Sequence, residues 1–234
     1  MGEPSFAAMA AGYDNLWKSC APLARKSAEI DDAAARISSY MSRYKAVSDK
    51  TGVPWWWIGC THYREASCRF SGHLHNGDPL TARTYHVPKG RPLAGNPPFA
   101  WEDSAIDALT MRVLDRVADW SIPRALFEWE GYNGWGYRSH NVNSPYVWAA
   151  TSHQENGKYV ADGVWSPTAF DTQLGCAAIL HRLIETGVVN GSAPTPQAKP
   201  KPADKPAAPS YPDPKPYPLI VHAAMWLAKL FGKK

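Results

Sequence analysis

Neither a CxxC pair nor an HExxH run occurs in this chain, and its four cysteines, Cys20, Cys60, Cys68 and Cys176, are widely scattered. That spacing gives no support to a zinc knuckle or a thioredoxin-type dithiol, although Cys60 and Cys68 are near enough in sequence to meet. His62, His73, His75 and His86 form a loose group without metal-ligand spacing, so no metal and no cofactor is expected. The first residues lack the basic n-region and apolar run of a secretory leader, and the expectation is a protein made in a reducing cytoplasm. An excess of charge of either sign is missing from most of the chain as well. Seven Lys and two Asp after residue 191 give +5 of a total of +4, which leaves the first 191 residues at −1. A nearly neutral body argues against nucleic acid as a partner, and a basic tail points to an anionic surface.

What the chain has in abundance is aromatic rings. Eleven Trp and eleven Tyr, within a hydrophobic fraction of 44%, are enough for a real core. Their flat faces also suit the stacking of sugar rings, nucleobases or partner surfaces. For any single Trp, a place in the core is an equally good reading.

Apolar residues recur at three- and four-residue spacing over 6–20, and Pro22 should end that helix. A second helix is predicted over 23–48, with Ile30, Ala34, Ile37, Tyr40, Met41 and Tyr44 on one face. Gly52 and Pro54 then set up a third, from Trp55 to about Ala66. From 68 to 96, Gly, Pro and Asn dominate, and the short run 81–87 suggests a small β-hairpin or a long ordered loop. Helical periodicity returns over 101–118 and again after Pro123, up to the Gly-rich run 130–138. An aromatic loop through Tyr159 and a last core helix over 167–185 complete the body. Residues 192–218 are rich in Pro, Ala and Lys and read as an extended linker. Residues 219–234 read as a cationic amphipathic helix, too short to span a bilayer. In that helix Trp226 and Phe231 would enter a membrane interface, and Lys229, Lys233 and Lys234 would meet its anionic groups. Docking back on the body is the plainer alternative.

The chemistry concentrates after the apolar run 53–58. It leads into His62, Arg64 and Glu65, so a carboxylate arrives at the end of a buried segment. Burial disfavours the charged form and raises its pKa toward that of a general acid working near neutrality. Asp78, in the turn-forming sequence Asn76-Gly77-Asp78-Pro79, is expected on a surface loop and ionised. Two carboxylates in contrasting environments are the simplest pattern for cleaving a glycosidic bond. The plainer readings are that Glu65 pairs with Arg64 or Arg138 and that Asp78 only forms its turn. Glu102 is a reserve second carboxylate, or a helix-start charge. His62 is expected to bond Glu65 or to line a cleft.

The helix-borne Glu65 in His62-Tyr-Arg-Glu-Ala-Ser67, with the later Tyr132-Asn133-Gly134, resembles the lysozyme superfamily, in particular its goose-type lysozyme and soluble lytic transglycosylase branch. The run 73–81, with Val87-Pro88 and Gly90-Arg91-Pro92, is similar to a group of phage lysozyme-like endolysins. The likeness covers about 23–184. It implies a mainly α (α+β lysozyme-like) fold, a helical body with a small β-hairpin or loop lobe beside the active-site cleft, over 1–191. It implies peptidoglycan as substrate, cut between N-acetylmuramic acid and N-acetylglucosamine, with Glu65 as acid and Tyr132 and Asn133 along the sugars; His62 and Tyr137 are further candidates for binding them. The Gly-Leu-Met-Gln-type run of transglycosylases is missing and the Asn76–Asp78 loop stands instead, so the expectation is a hydrolase with Asp78 as base. A lytic transglycosylase, a non-catalytic wall-binding or phage structural protein, and a chitinase are the rivals. A monomer is expected, released from the bacterial cytoplasm to the wall, with the tail on anionic membrane or lipopolysaccharide.

Overall fold

A computed structural model describes residues 4–161 and 163–190. The linker over 192–218 and the helix over 219–234, with Trp226, Lys229, Phe231, Lys233 and Lys234, lie outside the described residues.

The first helix, α1 (Phe6–Ser19), starts where the Ser5 hydroxyl accepts from the Ala8 N–H, and it ends ahead of Pro22. The stretch predicted as one helix over 23–48 is three pieces: a 3-10 turn at Ala24–Lys26, α2 (Ser27–Ser39) and α3 (Met41–Thr51). The chain bends at Tyr40, whose N–H turns to Ile37 O and whose own carbonyl takes the Arg43 N–H. Periodicity did not reveal the bend because Tyr40 keeps an apolar contact, edge-on to Phe70 at 4.8 Å. Gly52, at φ 75°, stops α3 in the left-handed region that glycine adopts without penalty.

Pro54 then leads into α4 (Trp55–Ala66), the helix on which the body is built. Every residue from Trp56 to His62 is buried, so this helix has no solvent stripe over its middle turns. It packs on α2, α3 and α8 (Cys176–Glu185). Gly59 is required there: a Cβ would lie 2.5 Å from Ile37 Cγ2. On the other side the indoles of Trp57 and Trp129 stack at 5.8 Å, tying α4 to α6 (Ile122–Asn133). Their N–H groups, buried with them, donate to Ala125 O and Thr61 Oγ1.

The helix predicted over 101–118 is shorter. α5 (Trp101–Met111) ends before Val113, which adopts φ 60°, and a 3-10 turn at Leu114–Arg116 follows. The β element also sits elsewhere. Residues 81–87 form no strand and take the alternative of an ordered loop; an isolated bridge between Gly72 and Pro79 lies just ahead of them. The two-stranded antiparallel sheet is β1 (Lys158–Ala161) with β2 (Val164–Ser166), in the stretch read as an aromatic loop. Gly163 at φ 67° makes its turn, and Tyr159 lies opposite Trp165. The body is thus mainly helical with a small β-hairpin, as expected, but the hairpin comes late in the chain. A short helix, α7 (Pro145–Trp148), is buried throughout and runs from Ser144 against α6 and α8. No described helix is long and apolar enough to cross a membrane.

Candidate active site

Glu65 lies in the last turn of α4, where Ser67 and Cys68, both at positive φ, reverse the chain into the long loop. Taken as a whole residue, Glu65 lies between buried and exposed, but its carboxyl is enclosed by protein. The Tyr146 hydroxyl donates to Glu65 Oε1 at 2.9 Å. Burial pushes the Glu65 carboxyl up to about 7, against the smaller opposing pulls of the Tyr146 hydrogen bond, Arg64 and Arg112. Its position at a helix C-terminus works in the same direction, since the carbonyl end of a helix disfavours a negative charge.

The two cations offered as plain partners are engaged elsewhere. Arg64 turns to Asp171 at 3.2 Å and donates to Leu174 O at 3.1 Å. Arg138 joins Glu130 at 2.8 Å. Neither pairs with Glu65, so the carboxyl keeps its raised pKa instead of being held ionised.

Asp78 is not on a surface loop. Only 4% of it is exposed, because the loop folds back on it. Its Oδ2 accepts the Tyr85 and His86 N–H groups, both at 2.9 Å, and the Asn76 amide at 3.1 Å; its Oδ1 faces His86 Nδ1 at 2.7 Å. Burial pushes this carboxyl up, but the His86 and Tyr85 donors outweigh it and hold it below the usual range. Asp78 is ionised as expected, for a different reason: it is the peg around which 76–87 is wound. The loop does reach the site. A Cβ at Gly77 would lie 2.7 Å from Glu65 O, so only glycine, at φ 75°, allows it to abut the end of α4.

Glu102 is gripped by Arg43, which donates at 2.6 and 3.0 Å and lowers its pKa. It sits in the first turn of α5, the helix-start role.

His62 neither bonds Glu65 nor lines a cleft. It is fully buried between Tyr44 Oη at 3.0 Å and Arg69 O at 3.1 Å, and burial drops its pKa to about 3. Tyr132 does stand beside Glu65. Its hydroxyl donates to Leu74 O at 2.9 Å, and burial followed by the Glu65 charge drives its pKa upward. Asn133 is the last, partly exposed residue of α6. Tyr137 is buried edge-on against Tyr159 and Trp165, a hairpin-packing residue and not a cleft one.

The other histidines are tied into the loop: His73 to Ser104 and Ala82 O, His75 to Asp107, which Arg91 also holds. Among the described residues no three His, Cys, Asp or Glu side chains converge as a metal site. All four cysteines are free thiols and buried.

Two residues at the site were not foreseen. Tyr146 supplies the hydrogen bond to Glu65, and Arg112 sets a positive field there while donating to Tyr132 O at 3.2 Å. The sequence signal at Tyr146 is only a helix start, Ser144-Pro145, which says nothing about where the hydroxyl points. No family model, no curated protein and no solved structure matches the chain.

Proposed function

We propose that the protein cleaves glycan strands of peptidoglycan, with Glu65 as the general acid. The observation that carries the reading is a glutamic acid at the end of α4, held by the Tyr146 hydroxyl, whose burial outweighs the pulls of Arg64 and Arg112 and raises its carboxyl to about 7. Such a group holds its proton near neutrality and can deliver it to the departing glycosidic oxygen. The Tyr146 hydroxyl fixes Oε1 and so the orientation of the carboxyl. The resemblance of the segments 62–67 and 132–134 to the lysozyme superfamily supports the substrate class.

The hydrolytic version with Asp78 as base fits less well. Four donors already occupy that carboxylate, and a water-activating base needs a lone pair directed at the water. Glu102 is held by Arg43. A single-carboxylate route asks for neither: Glu65 protonates the leaving oxygen and, as carboxylate, takes the proton from the sugar's own hydroxyl as an anhydro ring closes. We therefore favour the lytic transglycosylase outcome over the muramidase one. In the same reading the segment 219–234 engages anionic membrane or lipopolysaccharide after release of the protein to the wall. Its deletion is expected to lower activity on intact Gram-negative cells and spare purified wall.

The test is mass spectrometry of soluble products from purified peptidoglycan. Anhydromuramic products from the wild type, lost in Glu65→Gln and retained in Asp78→Asn, are expected. Reducing-end muramic products that vanish with Asp78→Asn would restore the two-carboxylate hydrolase. No products from folded wild type would favour a wall-binding protein.

A further inference from the structure

A cavity is bounded by α1, by Glu130 of α6, by Trp148 of α7 and by the segment 138–143. Neither Glu65 nor Tyr146 lines it. Its volume of about 360 Å³ falls within the range of small-ligand pockets, roughly 300–1,000 Å³. At one end stands a charge cluster: Glu130, 2% exposed, accepts Tyr13 Oη at 2.6 Å and two Arg138 nitrogens at 2.8 Å. These contacts use Arg138 Nε and Nη2, and the side chain is 41% exposed. The opposite wall is the apolar flank of α1, at Ala8, Met9 and Leu16.

One residue marks the space as kept open. Gly12 is in the interior of α1, has no positive φ, and a Cβ built there meets nothing within 4 Å. A helix-interior glycine costs backbone entropy, and here neither a turn nor a close contact calls for it. Its effect is an unfilled groove between α1 and Arg138.

We propose that this cavity is a second binding site, taking an N-acetylhexosamine unit of a glycan strand. Glu130 and Arg138 neutralise one another, so the site selects an uncharged ligand. The polar groups along 138–143 are planar donors and acceptors suited to sugar hydroxyls and an acetamido group: the exposed Asn141 amide, the carbonyl oxygen of the Asn143 side chain, whose nitrogen donates to His153 O at 3.4 Å, and the rim of the Arg138 guanidinium not on Glu130. The apolar flank of α1 suits the C–H face of a pyranose ring. The sugar class rests on the proposed glycan-cleaving function, and the site would hold a strand away from the reacting bond.

The experiment is amide-resolved NMR titration of the full chain, carrying Glu65→Gln so that the probe is not cut, with tri-N-acetylchitotriose. The amide signals of Gly12, Asn141 and Asn143 are expected to shift. Gly12→Leu has room for its Cβ and extends into the groove, and it should weaken those shifts at least tenfold while the chain stays folded by thermal melting. Asn141→Gly, which keeps the observed φ of 54° and removes the amide, should weaken them several-fold. Absence of the shifts at millimolar probe, or shifts unchanged by Gly12→Leu and Asn141→Gly, overturns the proposal. Shifts confined to residues around Glu65 overturn it too and leave the proposed function standing. Failure of the wild type to cut peptidoglycan bears on the proposed function alone, because the titration needs no catalysis.

Discussion

Glu65 and Glu130 occupy matching places in the fold. Each lies near the C-terminal end of an apolar helix, α4 or α6, and each accepts a tyrosine hydroxyl, from Tyr146 and from Tyr13. They differ in the cation. Arg138 clasps Glu130 through two nitrogens, whereas Arg64, next to Glu65 in sequence, is drawn away by Asp171. The first arrangement is a buried ion pair that ties α1, α6 and the 3-10 turn at 135–140 together. The second leaves a carboxyl that holds its proton near neutrality. Burial and a tyrosine are common to both, so what sets the two glutamates apart is the arginine clasped directly on Glu130, where Arg64 and Arg112 pull less on Glu65 than burial does.

The sharpest way to break the comparison is to remove the cation. Arg138→Met should cost about 3 kcal/mol, because it strands a charge at Glu130, and urea unfolding reads it. The partial exposure of Arg138 places the loss at the lower end for such pairs. Asp78→Asn comes next. It weakens the bonds from His86 and Tyr85 and should cost about 2 kcal/mol, with peptidoglycan cleavage lowered only in proportion to the folded fraction.

On the reactive side the expected effects are smaller and depend on pH. The folded-state pKa of Glu65 is raised above its unfolded value, so the native state binds the proton more tightly. Stability attributable to this group is therefore full below about 4.5 and falls as pH rises toward about 7. Glu65→Gln should remove that decline and melt above the wild type at pH 8, and a scan of melting point against pH checks it. Tyr146→Phe removes a donor that favours the charged form. It should move the alkaline limb of the cleavage profile upward by about 1 pH unit or less, with little change in stability at low pH. The smallest effect belongs to Glu102→Gln, whose half-exposed pair with Arg43 should be worth less than about 1 kcal/mol by thermal melting.

The local signals in the sequence were read well where the structure is local. Gly52 and Pro54 bound α3 and α4, and the span of α4, with Glu65 at its end, follows from them and from the apolar run. The turn residues around Asp78 carried a true local statement, that the chain turns, and a false global one, that the turn faces water. What buries Asp78 is the backbone of 85 and 86, seven and eight residues on, which no turn propensity encodes. The same limit hid Tyr146, which is 81 residues from its carboxylate. His62 lies on α4, as the apolar run predicts, but it faces Tyr44, Phe70 and Trp101 and not Glu65. The run 81–87 reads as a hairpin or a long ordered loop, and it is the loop that forms. The sheet formed instead where the Tyr159–Trp165 pair could pack on Tyr137.

The most direct test of the account is titration of the Glu65 side-chain carboxyl by carbon-13 NMR in the full chain. The account predicts a midpoint near 7, moving upward in Tyr146→Phe. A midpoint near 4.5, that of an ordinary glutamate, would contradict it, because Glu65 would then have lost its proton at the pH where the general acid must act.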